Sequence, residues 1–169
     1  GAQLEFSDLK PVVALKDFLP RAFLVPKSSL GDGAKLLNAY YDDSFDPLQE
    51  VLLTEKVPVE PRGNFFGRVN TLIYSPNNVQ LQTDQNGEGF LILLDTYFPG
   101  WKVQVDGKPK RIYRANYFYR AVKLDPGSHS INFSFEPEGY QTGKWISGIT
   151  LVLLVIVSSF ILLNKRSPH

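Results

Sequence analysis

Aromatic and basic residues alternate densely in the second half of the chain, and they are the side chains best suited to recognising a ligand. Flat rings bind the faces of sugars, and guanidinium groups hold phosphate through paired hydrogen bonds. The aromatic members are Tyr97, Phe98, Trp101, Tyr113, Tyr117, Phe118 and Tyr119, and the basic members are Lys102, Lys108, Lys110, Arg111, Arg114 and Arg120. The pattern therefore favours binding of a phosphate-bearing carbohydrate.

For each of these residues taken singly, a structural interpretation is the stronger one. Trp101 suits a core or a turn, and a basic hairpin commonly forms a solvated edge that deters strand pairing. Basic residues among aromatic ones also suit single-stranded nucleic acid. The long apolar segment at residues 145–163, a predicted membrane anchor, argues against nucleic acid as a partner.

Residues for catalysis or metal binding are sparse. The chain has no cysteine, no Walker loop and no glycine-rich dinucleotide turn, and its two histidines stand apart. A lone histidine at the start of a strand, such as His129, is typical of a structural residue. A catalytic pair among Asp84, Glu88, Asp95 and Asp106 remains an alternative, although turns and a strand end account for these carboxylates. We expect no cofactor, no metal and no catalytic residue in this chain.

A β-sheet must position the aromatic and basic residues. Residues 90–94 form a short unbroken apolar run, which is typical of a strand covered on both faces. Asp106 and Gly107 lie between residues 101–105 and 111–113 and suit the positive φ angles of a tight hairpin turn. The sheet is therefore predicted to form around residues 90–94.

Further short strands are separated by turns that recur every eight to twelve residues. The other predicted strands are residues 22–25, 51–53, 69–74, 79–83, 118–124 and 129–136, with a bulge expected in 118–124. One short helix is predicted to begin at Asp32 and to bury Leu36, Leu37 and Tyr40. This spacing predicts a mainly β fold, an antiparallel β-sandwich of jelly-roll-like type with one short helix.

The composition suits one folded domain with an uneven charge distribution. The chain has 169 residues, 43% of them hydrophobic, and a formal net charge of +1. It contains no methionine, which indicates a fragment or a processed chain. Between Lys102 and Lys123 there are seven basic residues and one acid, a net charge of +6. One face is therefore expected to attract anions while the whole molecule stays near neutral.

The last part of the chain differs sharply from the rest. Residues 145–163 carry no charge, and a helix of that length is long enough to cross the hydrocarbon layer. Lys165 and Arg166 follow it, against Lys144 before it, which favours a cytoplasmic carboxy terminus. The β domain is then predicted to lie outside the cytoplasm.

Ordered motifs along the chain resemble the carboxy-terminal extracytoplasmic domain of the YfhO family of bacterial polytopic membrane proteins. The longest is Asp95-Thr96-Tyr97-Phe98-Pro99-Gly100-Trp101-Lys102. Others are Leu19-Pro20-Arg21, Phe45-Asp46-Pro47, Asp106-Gly107, Ile112-Tyr113-Arg114-Ala115-Asn116-Tyr117, Arg120-Ala121-Val122 and Pro126-Gly127-Ser128-His129. The likeness extends from about Leu19 to Leu163.

This resemblance implies a parent protein similar to the GT-C glycosyltransferases, which use lipid-linked sugars at the outer membrane face, for example to glycosylate teichoic acid. It implies a bacterial cell-membrane location and catalytic residues elsewhere in the parent. The chain is then predicted to divide into an N-terminal segment of undecided structure (1–18), the sandwich (19–144), a transmembrane helix (145–163) and a cytoplasmic tail (164–169).

Three hypotheses follow. In the first, the domain is non-catalytic and binds an anionic envelope glycopolymer or a lipid-linked sugar through Tyr97, Trp101, Arg114, Asn116, Tyr117 and Arg120. In the second, the same residues form the sandwich core and pack against the missing transmembrane helices of the parent. Membrane lipid is an expected partner in either case. In the third, the domain is itself catalytic.

Overall fold

The computed structural model describes residues 18–31, 36, 38, 42, 44–60, 63–137 and 139–164. Eleven strands and one long helix make up most of this part. In chain order the strands are β1 (Ala22–Val25), β2 (Lys27–Leu30), β3 (Glu50–Leu53), β4 (Gly67–Ser75), β5 (Asn78–Gln85), β6 (Gly89–Thr96), β7 (Trp101–Val105), β8 (Lys108–Lys110), β9 (Tyr113–Ala115), β10 (Tyr119–Leu124) and β11 (Gly127–Phe135). The helix spans Tyr140–Asn164.

The strands form two sheets. The six-stranded sheet has the order β1-β6-β10-β9-β3-β2, and the five-stranded sheet has the order β4-β5-β11-β7-β8. All pairs are antiparallel except β2 with β3. The chain changes sheet at β3–β4, β5–β6, β6–β7, β8–β9 and β10–β11. The predicted mainly β fold is confirmed, with two sheets that are antiparallel apart from the β2–β3 pair.

Strand β6 is buried on both of its faces, as its apolar run predicts. Leu91 and Leu93 pack between the two sheets in a core that includes residues of β5, β7 and β11. Phe90 and Ile92 point to the other side and belong to a second cluster with β1, β3 and β9. Val57, in the connector after β3, packs against this second cluster. Burial of both faces explains why β6 lacks polar alternation.

The hairpin between β7 and β8 confirms the predicted turn and corrects its second strand. Asp106 and Gly107 have φ angles of 53° and 75°, and Val105 pairs directly with Lys108. The strand expected at residues 111–113 is wrong, because a two-residue turn starts the return strand at once. Arg111 and Ile112 instead carry the chain to the other sheet.

One strand irregularity agrees with the sequence, and one strand lacked a sequence signal. The bulge expected within residues 118–124 is confirmed as a register shift between Tyr119 and Arg120. Strand β2 had no sequence signal, because Lys-Ser-Ser-Leu lacks apolar alternation; it pairs with β3 in parallel. Such a strand is stabilised by its neighbour rather than by its own pattern.

The long helix is exposed along its apolar length. The stretch Thr142–Leu162 has a mean hydropathy of 2.5, with none of its most apolar window buried, so by length and composition it is a candidate membrane span. In the short helix predicted to begin at Asp32, Leu36 is helical and buried. Its other predicted positions, Asp32, Leu37 and Tyr40, lie outside the described residues, as do residues 1–17 and 165–169.

Candidate functional site

The longest motif forms the loop that joins β6 to β7 and crosses between the sheets. Gly100 has φ +101°, and a Cβ there would lie 3.0 Å from Phe135 Cε2 and 3.1 Å from Pro137 Cα. The Glu136 amide donates to the Gly100 carbonyl at 2.7 Å. Only glycine combines this φ with so close an approach. The motif therefore packs against the segment that leads into the helix.

A groove of about 360 Å³ lies between this loop and the β7–β8 hairpin, and its lining includes Tyr97, Phe98, Trp101, Lys102, Lys110 and Ile112. We call it the Trp101 groove. The Trp101 ring is half-buried and lies 5.3 Å from the Phe135 ring, centroid to centroid. The groove thus offers aromatic walls and two ammonium groups next to the segment that leads into the helix.

Arg21, Tyr74, Asp95 and Arg120 form an ionic cluster at the end of β6, which we call the Asp95 cluster. Arg120 Nη2 lies 3.0 Å from Asp95 Oδ2, and Arg21 Nη2 lies 3.2 Å from Asp95 Oδ1. The Tyr74 hydroxyl donates to Asp95 Oδ1 at 2.7 Å. Burial, followed by this hydrogen bond, raises the pKa of Tyr74. The cluster joins both sheets at their helix-proximal ends.

Arg120 belongs to the interior of the domain. It is 2% exposed, and its guanidinium carbon lies 3.9 Å from the centre of the Trp101 ring and 5.6 Å from that of Phe133. Burial lowers the pKa of Arg120, while Asp95 acts in the opposite direction. Its Nη1 is buried and has no partner among the described residues. Arg120 therefore supports the Trp101 ring from inside the sandwich.

The turn between β9 and β10 holds the other predicted site residues. Asn116 and Tyr117 have φ angles of 46° and 70°. Asn116 is 1% exposed, its Oδ1 accepts from the Leu52 amide at 2.9 Å, and its own amide donates to the Leu52 carbonyl at 2.8 Å. Arg114 is exposed, lies 4.8 Å from the Tyr117 ring centre and donates to the Tyr117 carbonyl at 2.6 Å.

The structure brings the six predicted ligand contacts to one end of the sandwich. Tyr97 and Trp101 line the groove, and Arg120 lies beneath Trp101. The turn with the other three adjoins them, because the Tyr97 amide donates to the Phe118 carbonyl at 2.6 Å. Arg120 and Asn116 are engaged inside the fold, whereas Tyr97 and Arg114 reach the surface. Their role in binding a ligand stays a prediction.

Long-range ion pairs neutralise most of the basic segment. Of its seven basic residues, five pair with carboxylates: Lys102 with Glu136, Lys110 with Asp125, Arg111 with Glu55, Arg120 with Asp95 and Lys123 with Glu88. Lys108 and Arg114 have no such pair within the part of the chain that the structure describes. The positive face expected from the sequence is therefore weaker than its count of charges suggests.

A second polar group lies at the opposite end of the sandwich. His129 Nδ1 is 2.7 Å from Asp106 Oδ2, and His129 Nε2 is 2.9 Å from the Asp125 carbonyl. Burial lowers the pKa of His129, but these hydrogen bonds outweigh it and raise the pKa above its usual value. The hydrogen bond from His129 lowers the pKa of Asp106. His129 is thus a hydrogen-bonded residue, and no described group of three His, Asp or Glu residues suits a metal ion.

The sequence alone does not predict the Asp95 cluster, because its members lie far apart in the chain. Arg21 and Tyr74 are 74 and 21 residues from Asp95. The only sequence signal was that Arg21 and Asp95 both lie in motifs of the same family pattern.

Comparison with known proteins gives a consistent result. The family model described as bacterial membrane protein YfhO matches residues 66–147, which include the groove and the start of the helix. An uncharacterized protein YfhO from Bacillus subtilis (strain 168) is 25% identical over 117 residues, which make up 69% of this chain and 12% of that protein. The match therefore spans a small part of the relative's length. No solved structure matches the chain significantly.

Proposed function

We propose that this chain, which matches the family model of bacterial membrane protein YfhO over residues 66–147, forms a non-catalytic extracytoplasmic domain that holds an anionic envelope glycopolymer against the membrane. The observation that carries this proposal is the Trp101 groove, where aromatic walls and two lysines lie next to the segment, Phe135 to Pro137, that leads into the helix with the candidate membrane span. A polymer bound there is kept at the membrane surface.

The groove matches the chemistry of a phosphate-linked glycan. The Tyr97 and Trp101 rings offer apolar faces for sugar or polyol units, and Lys102 and Lys110 offer ammonium groups for phosphates. The carboxylates that pair with these lysines do not prevent this. Both pairs are exposed, with side-chain exposures of 64% and 57% for Lys102 and Glu136, and exposed pairs contribute little free energy. A polyanion can therefore replace them.

The parent protein supplies the chemistry in this proposal. Its resemblance to GT-C enzymes supports transfer of a sugar from a lipid-linked donor to a polymer such as teichoic acid, by residues outside this chain. The domain's part is to retain the acceptor near the outer surface. A domain outside the cytoplasm and a cytoplasmic carboxy terminus fit this arrangement, in accord with Lys165 and Arg166 after the span.

Binding of poly(glycerol phosphate) to the chain in nanodiscs tests the proposal. We expect the double variant Lys102→Gln/Lys110→Gln to weaken binding about tenfold and to keep its melting temperature, because two phosphate contacts are lost from an exposed surface. The matched control is Lys27→Gln/Lys56→Gln, which removes two exposed lysines at the far edge of the other sheet. Equal affinity of both double variants would contradict the proposal.

A structural role is the second candidate, and the burial of Arg120 and Asn116 favours it for those two residues. In that role the domain packs on other parts of the parent and has no ligand. Alanine at the exposed Arg114 separates the two candidates. Loss of polymer binding at unchanged melting temperature supports recognition, whereas a lower melting temperature with unchanged binding supports packing.

A further inference from the structure

Two exposed phenylalanines lie on adjacent turns at the end of the sandwich where the helix begins. Phe98, in the loop between β6 and β7, is 60% exposed, and Phe118, in the turn between β9 and β10, is 46% exposed. The hydrogen bond from the Tyr97 amide to the Phe118 carbonyl joins the two turns. Large apolar rings on adjacent turns form a patch whose exposure to water is unfavourable.

This patch lies close to the predicted edge of the hydrocarbon layer. The Phe98 ring is 6.3 Å from the Phe135 ring at the end of β11. Pro137 packs on Gly100, and its carbonyl lies 3.3 Å from the Tyr140 amide. The candidate span begins at Thr142, about 3 Å further along the helix axis. These contacts place Phe98 near the start of the span, where the interfacial layer of one leaflet, about 5–8 Å thick, is expected.

The residues around the patch are those that favour a membrane interface. Tyr97 and Tyr140 are 38% and 59% exposed, and Lys144 Nζ lies 5.6 Å from the Tyr140 ring centre. Lys102 is exposed, and the nearby acid Glu136 is paired with it. Amphipathic aromatic and basic residues commonly flank a membrane span, where rings lie among head groups and ammonium groups meet lipid phosphates.

We propose that Phe98 and Phe118 insert into the head-group layer of the same bilayer that the helix crosses. The sandwich then stands on this end, and the Trp101 groove opens at the level of the lipid phosphates. The occupant of the patch is lipid because the patch is joined through Phe135 and Pro137 to the start of the candidate span. The inference does not depend on polymer binding.

The lack of cysteine in the chain allows a direct test by site-specific labelling. Single variants Phe98→Cys, Phe118→Cys and Ser128→Cys carry the fluorophore NBD, with one 169-residue chain in each nanodisc. Ser128 is exposed near the opposite end of β11 and serves as the control. We expect nitroxide at acyl carbon 5 of the lipid to quench the first two probes about threefold more than the control. Equal quenching at all three positions would overturn the inference.

A second measurement places the NBD probe at Lys102→Cys, so that both phenyl rings stay in the chain. We expect intermediate quenching at this position. The additional changes Phe98→Ser and Phe118→Ser should reduce the quenching to the Ser128 level, because the domain then lifts from the surface. Quenching that does not change would refute insertion. One chain per disc excludes a second copy of the chain. If the probes at positions 98 and 118 were protected from both lipid-borne and water-soluble nitroxide, the patch would be covered by contacts within the chain. That result would also refute insertion.

Discussion

Replacement of Arg120 by methionine tests the central structural statement about the candidate site. Methionine keeps an unbranched side chain of similar length in contact with Trp101 but removes the charge that faces Asp95. The Asp95 side chain is 13% exposed and the Arg120 side chain 3% exposed, so the carboxylate loses its buried partner. It retains Arg21 at 3.2 Å and the Tyr74 hydroxyl at 2.7 Å.

The expected loss of stability follows from these contacts. Removal of one partner from a buried ion pair costs about 3–5 kcal/mol. Because Asp95 keeps two other partners, we expect the lower end, about 3 kcal/mol. Loss of the cation–π contact with Trp101 adds about 1 kcal/mol, which the thioether–aromatic contact of methionine largely offsets. For a domain of this size, about 3 kcal/mol lowers the melting temperature by roughly 10 °C.

Thermal unfolding, followed by tryptophan fluorescence of the chain in nanodiscs, measures this change. The control is Arg111→Met, which removes a guanidinium whose side chain is 66% exposed and pairs with Glu55 at 2.7 Å. Its expected cost is below about 1 kcal/mol, as for other exposed pairs. A melting temperature of Arg120→Met close to that of Arg111→Met would refute the burial of Arg120 and return it to the set of accessible ligand contacts.

Two further predictions concern single residues. Asn116→Ala should lower the free energy of unfolding, measured in urea, by about 2 kcal/mol. The Leu52 amide loses its buried acceptor, and alanine tolerates a φ of 46° poorly. An unchanged free energy of unfolding would contradict this reason. His129→Gln should reduce stability mainly at low pH. The pKa of His129 in the folded state is raised above 6.5. The stabilisation that protonated His129 contributes is therefore full below pH 6.5 and is lost as the pH rises through the folded pKa. The difference in melting temperature between wild type and His129→Gln should shrink as the pH rises above 6.5, and a constant difference would argue against a charged His129.

Local patterns explain which parts of the fold were predictable. Asp106-Gly107 specifies a hairpin turn through its own backbone preference, and residues 90–94 specify a strand covered on both faces. The second strand of that hairpin was predicted at residues 111–113 because aromatic and branched residues favour a strand there. The two-residue turn instead starts this strand at Lys108, which pairs with Val105. Strand β2 was missed because its pairing with β3 stabilises it.

The candidate site was predictable as a region but not in its individual roles. Tyr97 and Trp101 line a groove, as their types indicate. Arg120 has the same sequence context as the surface residue Arg114, yet it is buried against Asp95 and Trp101. Asn116 has a polar side chain that suits ligand binding, but its Oδ1 instead accepts a hydrogen bond from the Leu52 amide. In each case the deciding partner lies tens of residues away in the chain.

By itself, the sequence determined the apolar helix, the tight turns and the alternation of the strands, because each depends on residues within a few positions of one another. Only the tertiary structure decided which basic residues are neutralised, which are buried and which line the Trp101 groove. The physical reason is that the desolvation of a charge and the location of its partner depend on strands that meet in space after the sheets have assembled.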